Sequence, residues 1–270
     1  MSWQKFRNFR EARDVPKPFL EHVEDLRYLL VRMAIALGIA MALAFIFRGT
    51  LAAFIQAPLL AVDPTRVDNL QSLGVADSMT ISLKLAFYAG LVLSFPVLLY
   101  FLAEFIMPAL SPRERRVVLL ASGVGFVLFL FGVVFAYYVV LPAALEFFFR
   151  DAQMMQWRPT WTVREYYSFA TQFTLAFGLA FELPVVVLAL VKVGLLEHDQ
   201  MRTTRPYAIV VIFLLAAVIT PTTDIFTLLL MGGPMVLLYE ACIWIARWME
   251  RRDVLTRSDA GRSDRTPDRD

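Results

Sequence analysis

The sequence is poor in the residues on which metal sites and disulfide-stabilised domains depend. Its 270 residues include one cysteine, Cys242, and two histidines, His22 and His198. A single cysteine excludes an intramolecular disulfide, and so few thiols and imidazoles argue against a metal site. No glycine-rich phosphate loop ending in Gly-Lys-Ser or Gly-Lys-Thr is present. The sequence therefore predicts neither a metal nor any other cofactor.

Charge is also scarce. Charged residues make up 19% of the chain and hydrophobic residues 59%, and the mean hydropathy is +0.60. Soluble domains are nearer a quarter charged and half apolar. The net charge of +2 is too small to indicate a nucleic-acid partner. The composition argues against a soluble enzyme and predicts a membrane protein.

Six apolar segments approach the roughly 20 residues that cross a bilayer. They cover residues 28–47, 85–103, 117–141, 166–191, 207–223 and 225–246. The last two are short and interrupted, by Thr220-Pro221 and by Gly232-Gly233-Pro234. They fit two short spans or one re-entrant hairpin, and both return the chain to the same side. We therefore predict an all-α membrane protein with six transmembrane helices, of which the fifth and sixth are short.

The distribution of lysine and arginine predicts the orientation. With the N-terminus inside, 20 of these residues lie in inner segments and 5 in outer segments, with Lys84 at a helix edge. Such a bias places both termini in the cytoplasm. No cleavable signal peptide is visible, because the first apolar run is too long and begins late.

Three regions follow from this pattern. Residues 1–17 form a basic cytoplasmic arm, which either lies on the inner membrane surface or is disordered. Residues 18–252 form the membrane domain. Residues 253–270 are rich in Arg, Asp and Ser and are predicted to be a disordered tail.

Glu182 is a carboxyl group inside the fourth apolar segment. An ionised side chain there costs about 2.5–3.5 kcal/mol on insertion scales. Pro184 removes a backbone donor beside it and frees a carbonyl one turn back. Two interpretations remain open: a functional polar pocket, or a protonated Glu182 that hydrogen-bonds to a neighbouring helix. Glu240 lies nearer the inner boundary, where snorkelling explains it.

Other carboxylates lie at the predicted membrane surfaces. Asp224 follows a turn-like stretch on the outer side, where it suits the N-cap of the last helix. On the inner side, Glu24 and Asp25 precede the first span and Glu114 lies in the short loop after the second. Two such carboxylates could bind two guanidinium groups in bidentate geometry. The ordinary alternative is that they pair with nearby arginines on a solvated surface, where a pair contributes little.

At these residues the sequence resembles the TatC family, the receptor subunit of the twin-arginine protein translocase. The resemblance rests on stretches such as Phe177-Gly-Leu-Ala-Phe-Glu-Leu-Pro-Val185, which occur in order along nearly the whole membrane region. They cover residues 18–27, 56–59, 81–87, 94–97, 105–116, 135–142, 177–185, 205–207 and 220–226.

The resemblance implies a concave, glove-like arrangement of six helices in the bacterial cytoplasmic (inner) membrane. It implies binding of twin-arginine signal peptides, and export of folded proteins driven by the proton gradient. The implied partners are single-span subunits of the TatA and TatB type, further copies of the chain and membrane lipid, without nucleic acid.

The resemblance also implies residue roles. Asp25 and Glu114 would receive the two arginines, with Arg27 and Phe105 lining the same region. Glu182 and Pro184 would be functional within the membrane. Pro58 matches a proline of the first outer loop, and Asp224 and Thr220 match the outer contact for single-span partners.

The chain departs from the family pattern at two of these positions. Asp25 stands where the family usually has Glu, so Glu24 is a second candidate for the first arginine receptor. Leu228 stands where a polar residue, often Gln, is expected after Asp224. The polar contact with partner subunits is therefore either weaker in this chain or made by Thr227.

Two other function classes compete with a translocase. A small-molecule permease would bind its substrate around Glu182 and Pro184, but the absence of an internal repeat counts against one built from duplicated halves. An intramembrane hydrolase needs a nucleophile and a base within the bilayer. His22 and His198 both lie in segments predicted to be cytoplasmic.

Overall fold

The computed structural model describes residues 19–62, 70–157, 160–194, 196, 198–220 and 224–263. Apart from one isolated β-bridge, the regular elements of these residues are helices. They are α1 (Phe19–Ile46), α2 (Arg48–Val62), α3 (Asp77–Ile106), α4 (Pro112–Phe135), α5 (Leu141–Met154), α6 (Val163–Ala180), α7 (Leu183–Val193), α8 (His198–Thr203), α9 (Arg205–Ile219) and α10 (Ile225–Ser263). The predicted all-α fold is confirmed.

Five helical stretches are long and apolar enough to cross a membrane. They are Val23–Ile46, Asp77–Ile106, Glu114–Met154, Val163–Val193 and Ile225–Trp248. Helix α9 has 15 residues and is therefore about 22 Å long, less than the roughly 30 Å of the hydrocarbon core. The fifth segment is thus short as predicted, while the count of six spans and the side of the termini stay predictions. We call the end that carries Glu114 the inner end and the opposite one the outer end.

The sixth segment corrects the expectation of a short, interrupted helix. Helix α10 passes through Gly232, Gly233 and Pro234 without a break, and its apolar part alone has 24 residues. Met231 and Met235 flank this site and are almost fully buried, so packing holds the helix where Pro234 removes a backbone donor. A re-entrant hairpin of two short arms does not fit a helix of this length.

The C-terminal region differs from the expectation of disorder beginning at residue 253. Helix α10 continues to Ser263. Extending an existing helix is much easier than starting one, and the Glu, Arg, Leu and Ala of this region are good helix formers. The arm 1–17 and residues 264–270 lie outside the described residues.

Helices α1 and α3 pack against each other along much of their length, and Gly90 lies at their closest approach. A Cβ atom on Gly90 would lie 2.8 Å from the Cα of Met41, so only glycine fits there. The opposite face of α1 is open, with Ile39 exposed by 67% and Ile46 by 74%. Such a face suits contact with lipid or with another helix.

The centre of the bundle is α6, whose side chains are the most deeply buried. Phe173 and Phe177 are fully buried there, and Phe129 of α4 is fully buried beside them. In a membrane, helices associate through close van der Waals packing rather than through the hydrophobic effect. This packed centre fixes the helix ends that carry the candidate functional residues.

At the outer end, the two long loops are joined to each other. The N–H of Gln71 donates to the carbonyl of Trp161 at 3.3 Å, and the N–H of Val163 donates to the carbonyl of Gln71 at 3.0 Å. The loop after α1 contains α2, and α5 follows α4 through a π-helical turn at Ala136–Val140. Both loops therefore carry helical structure.

Candidate functional site

The first inner carboxylate lies near the start of α1. Asp25 is partly buried, whereas Glu24 and Arg27 are exposed. Consecutive helical residues point about 100° apart, so Glu24 and Asp25 occupy different faces. Asp25 lies on the side nearer the bundle, which favours it over Glu24 as the first candidate receptor.

Glu114 lies in the first turn of α4 and its carboxylate is held in place. The N–H of Ser111 donates to its Oε2 at 2.7 Å, as in a capping box. A carboxylate has about four acceptor positions, so this bond leaves room for a guanidinium. The sequence placed Glu114 at the membrane surface but did not predict the capping bond.

The loop that presents Glu114 is braced by its neighbour. Nε of Arg115 donates to the carbonyls of Met107 and Leu110, both at 3.1 Å. These carbonyls belong to the 3₁₀ turn Met107–Ala109 and the residue after it. Phe105 is partly buried in the last turn of α3, just before this turn. The inner candidate site is thus formed by α1, the end of α3 and the start of α4.

A pair that the sequence analysis missed joins two of these elements. Nη1 of Arg32 on α1 lies 3.2 Å from Oε2 of Glu104 on α3, and its guanidinium lies 4.6 Å from the ring centre of Phe101. Arg32 is two helical turns beyond Asp25 on α1. Because the partners are far apart in sequence, only their positions near the inner ends of two apolar segments could have suggested the pair.

Glu182 lies where α6 ends and α7 begins, at the N-cap position of α7. Pro184 is buried in the first turn of α7, so the predicted interruption is present. A Cβ atom on Gly125 of α4 would lie 2.6 Å from Oε2 of Glu182, which means that Gly125 provides the space for the carboxyl group. Oε1 is buried and has no hydrogen-bond partner among the described residues. No bond from this atom to a neighbouring helix is therefore found among the described residues, and the polar pocket stays a prediction.

The outer turn between α9 and α10 carries three of the predicted residues. Thr220 ends α9 and is buried. The N–H of Thr227 donates to Oδ1 of Asp224 at 2.7 Å, so Asp224 caps α10 as the residue pattern suggested. Thr227 itself is fully buried, and its hydroxyl has no partner among the described residues. Thr227 is therefore not on the surface that a partner would meet, and Leu228 beside it packs on the core.

Pro58 is buried inside α2. Proline has no N–H, so the carbonyl of Phe54 one turn earlier lacks its usual helical donor. The hydroxyl of Tyr137 donates to this carbonyl at 2.5 Å, and the two rings stack with centres 4.4 Å apart. Because Pro58 leaves the Phe54 carbonyl free, the π-helical turn can bind α2 through Tyr137.

Two further tyrosines hold the same helix. The hydroxyl of Tyr166 donates to the carbonyl of Ile55 at 2.5 Å, and that of Tyr167 to the carbonyl of Ala52 at 3.2 Å. Both tyrosines begin α6 and are buried. They fasten the first outer loop to the bundle, and nothing in the local sequence marked them for this role.

Glu240 has a partner instead of reaching the membrane surface alone. Nε of Arg205, at the start of α9, donates to its carboxylate. The pair joins α9 to α10 near the inner end. The interpretation from the sequence, which was snorkelling, considered Glu240 without this partner.

A sequence profile of the family described as Sec-independent protein translocase protein (TatC) matches residues 21–234. The chain belongs to the TatC family. A TatC protein of Carboxydothermus hydrogenoformans is 34% identical over 241 residues, which cover 89% of this chain and 97% of that protein. A TatC protein of Akkermansia muciniphila is 50% identical over 182 residues, 67% of this chain, and the match spans only 52% of that protein's length.

A solved TatC structure agrees with this family assignment. A crystal structure of the twin-arginine translocase receptor TatC superposes with a TM-score of 0.75 at 34% identity, covering 84% of this chain and 98% of that one. The TatC family is a family of protein translocase components and not of enzymes. The chain is thus a membrane-embedded component of the Sec-independent translocase, which favours that function over a permease or a hydrolase.

Proposed function

We propose that this TatC-family chain is the translocase subunit that binds twin-arginine signal peptides at the inner surface of the bacterial cytoplasmic membrane. The observation that carries the proposal is the fixed position of Glu114. Ser111 holds one carboxylate oxygen and Arg115 braces the loop, so the carboxylate is positioned before a peptide arrives. Preorganised groups lose less freedom on binding.

Asp25 supplies the second carboxylate in this proposal. Two adjacent arginines of a peptide would each donate bidentate hydrogen bonds, one to Asp25 and one to Glu114, with Arg27 and Phe105 lining the site. Lysine cannot reproduce this geometry. A charge-assisted hydrogen bond contributes about 1.5–3 kcal/mol, so losing one carboxylate would weaken binding by tenfold or more.

The later steps need further subunits. The apolar part of the peptide would lie along the concave helix surface, and single-span partners of the TatA and TatB type would dock beside α9 and α10. Further copies of this chain complete the assembly, and the proton gradient supplies the energy. The short α9 would thin the bilayer locally, because a helix shorter than the membrane is accommodated by deformation. Such thinning would assist the passage of a folded protein from the cytoplasm across the membrane.

Peptide crosslinking tests the receptor assignment. A photo-reactive peptide with two arginines should be captured by the unaltered chain, whereas its counterpart with two lysines should not. The double variant Asp25→Asn, Glu114→Gln should lose capture. Glu24→Gln should retain it if Asp25 is the first receptor. Glu146→Gln, in the middle of α5 and far from the inner end, is the matched control. Unchanged capture by the double variant would refute the assignment.

A further inference from the structure

Two adjoining cavities lie at the outer end, between α2, α3 and α6. The outer cavity, which we call the cup, has a volume of about 600 Å³ and is lined by Arg48, Ser72, Ser78 and Ser82 among other residues. The inner one, the crevice, has a volume of about 290 Å³. Leu85 lines both. The two cavities therefore adjoin at Leu85, and the cup is the one that contains a charged side chain.

The order of the two cavities follows the helices from the outer end inwards. On α3, the residues that line the cup lie between Ser78 and Leu85, and those that line the crevice lie between Leu85 and Leu93. The 15 residue-to-residue steps from Ser78 to Leu93 rise about 22 Å along the helix. Half of a bilayer with its headgroups is about 20–22 Å thick. Together the cavities have the length of one membrane leaflet.

The crevice is lined almost entirely by apolar side chains. Val92, Leu93 and Val133 are among them, and the hydroxyl of Thr171 is turned to the carbonyl of Tyr167 at 2.6 Å. A hydrocarbon chain has no polar group that would need a hydrogen-bond partner, whereas a peptide does. The apolar lining of the crevice therefore suits an acyl chain.

Among the residues that the structure describes, the cup carries a positive charge that no carboxylate pairs with. The guanidinium of Arg48 lies 4.9 Å from the ring centre of Phe45, and none of the ion pairs among the described residues includes Arg48. Nζ of Lys84, on the same helix as Ser78 and Ser82 but outside the lining of the cup, lies 2.9 Å from the neutral hydroxyl of Ser168. The nearby carboxylate of Asp77 is buried and faces Arg164 at 3.7 Å. Guanidinium groups bind phosphate well.

We propose that the cup and the crevice form a binding site for one phospholipid of the outer leaflet with an anionic headgroup. The phosphate binds Arg48, the serine hydroxyls of the cup surround the headgroup, and one acyl chain enters the crevice past Leu85. The lipid fills the gap that α2, α3 and α6 leave between them. This site lies at the opposite end of the bundle from the proposed peptide site.

Native mass spectrometry of the full chain, released from detergent in the presence of phosphatidylglycerol or phosphatidylcholine, tests the site. The unaltered chain should retain one phospholipid and prefer phosphatidylglycerol by about fivefold, the effect of one basic residue near an anionic lipid. Arg48→Gln should abolish this preference. Arg150→Gln should keep it, because Arg150 is an outer arginine already paired with Glu146. Equal behaviour of the two variants would overturn the headgroup assignment.

A second pair of variants tests the crevice. Ala89→Leu fills it and should lower retention of both lipids about tenfold, whereas Ala53→Leu on the exposed side of α2 should not. A photo-crosslinker at Leu93, used in whole membranes, gives an independent result that does not depend on a folded variant. The proposal is supported if the crosslinker attaches to lipid both in the presence and in the absence of signal peptide. It is refuted if the crosslinker attaches only to peptide or protein.

Discussion

At the scale of single residues, proline and glycine each make room for another group. A proline leaves a backbone carbonyl free to accept a hydrogen bond, and a glycine leaves space for a side chain. Pro58 leaves the Phe54 carbonyl to the hydroxyl of Tyr137, and Gly125 leaves room for the carboxyl group of Glu182. Neither relation is visible in the local sequence, because each joins residues from different helices.

The first relation predicts a coupling between Pro58 and Tyr137. Tyr137→Phe removes the donor to the Phe54 carbonyl and should cost about 1–3 kcal/mol of stability. In a Pro58→Ala background the new backbone N–H can donate to the same carbonyl, so Tyr137→Phe should cost less there. Thermal unfolding in detergent measures both values. Tyr138→Phe, at an exposed neighbour, is the control, and an equal cost of Tyr137→Phe in both backgrounds contradicts the explanation.

The second relation predicts that Gly125→Ala displaces the carboxyl group of Glu182. The new Cβ would lie 2.6 Å from Oε2, whereas a Cβ at Gly123 meets nothing within 4 Å. Export by membrane vesicles should therefore fall in Gly125→Ala and in Glu182→Ala but not in Gly123→Ala. Peptide capture should persist in all three, since the inner site is not touched. Normal export by Glu182→Ala would show that the buried carboxyl group has no role in transport.

At the scale of helices, the relation between α1 and α3 sets the geometry of the inner site. Gly90 allows the close approach, and the pair Arg32–Glu104 fixes it two turns below Asp25. Both side chains are 38% exposed, so the pair itself contributes only about 0.5–1 kcal/mol to stability. We expect its larger effect to be on the position of Asp25 relative to Glu114.

This arrangement predicts rescue by exchange of charges. Arg32→Glu and Glu104→Arg should each weaken capture of a twin-arginine peptide several-fold, because like charges then separate the two helices. The double variant restores an opposite-charge pair and should recover capture. Peptide titration of the purified chain measures the affinities. If the double variant is as weak as the sum of the single ones, the pair does not position Asp25.

The helices themselves were largely predictable, and the contacts between them were not. Apolar runs of about 20 residues gave the first four spans, and Pro184 marked the break between α6 and α7. Helix α10 was misjudged, because Gly232, Gly233 and Pro234 would end an isolated helix but are held by packing. Arg32–Glu104 and Lys84–Ser168 join residues 72 and 84 positions apart, and no local pattern reports such distances.

At the scale of the whole molecule, the sequence predicted the class of protein from few features. The inward bias of basic residues predicted the orientation, the resemblance implied a receptor that faces the cytoplasm, and the comparisons confirm the family. The burial of Thr227 depends on how α10 rotates against its neighbours, which composition does not specify. The outer cavities likewise arise only when α2 is laid across α3 and α6.

The bridge between the outer loops has a consequence for the route of export. Gln71 is bonded to both Trp161 and Val163, and three tyrosines fasten α2 beneath it. The described parts of the two outer loops are thus bonded to each other and to the bundle, which predicts that they stay in place while a protein is exported. The exported protein would then cross the membrane beside this chain rather than through it. The chain would form one fixed wall of a translocation path that other subunits complete.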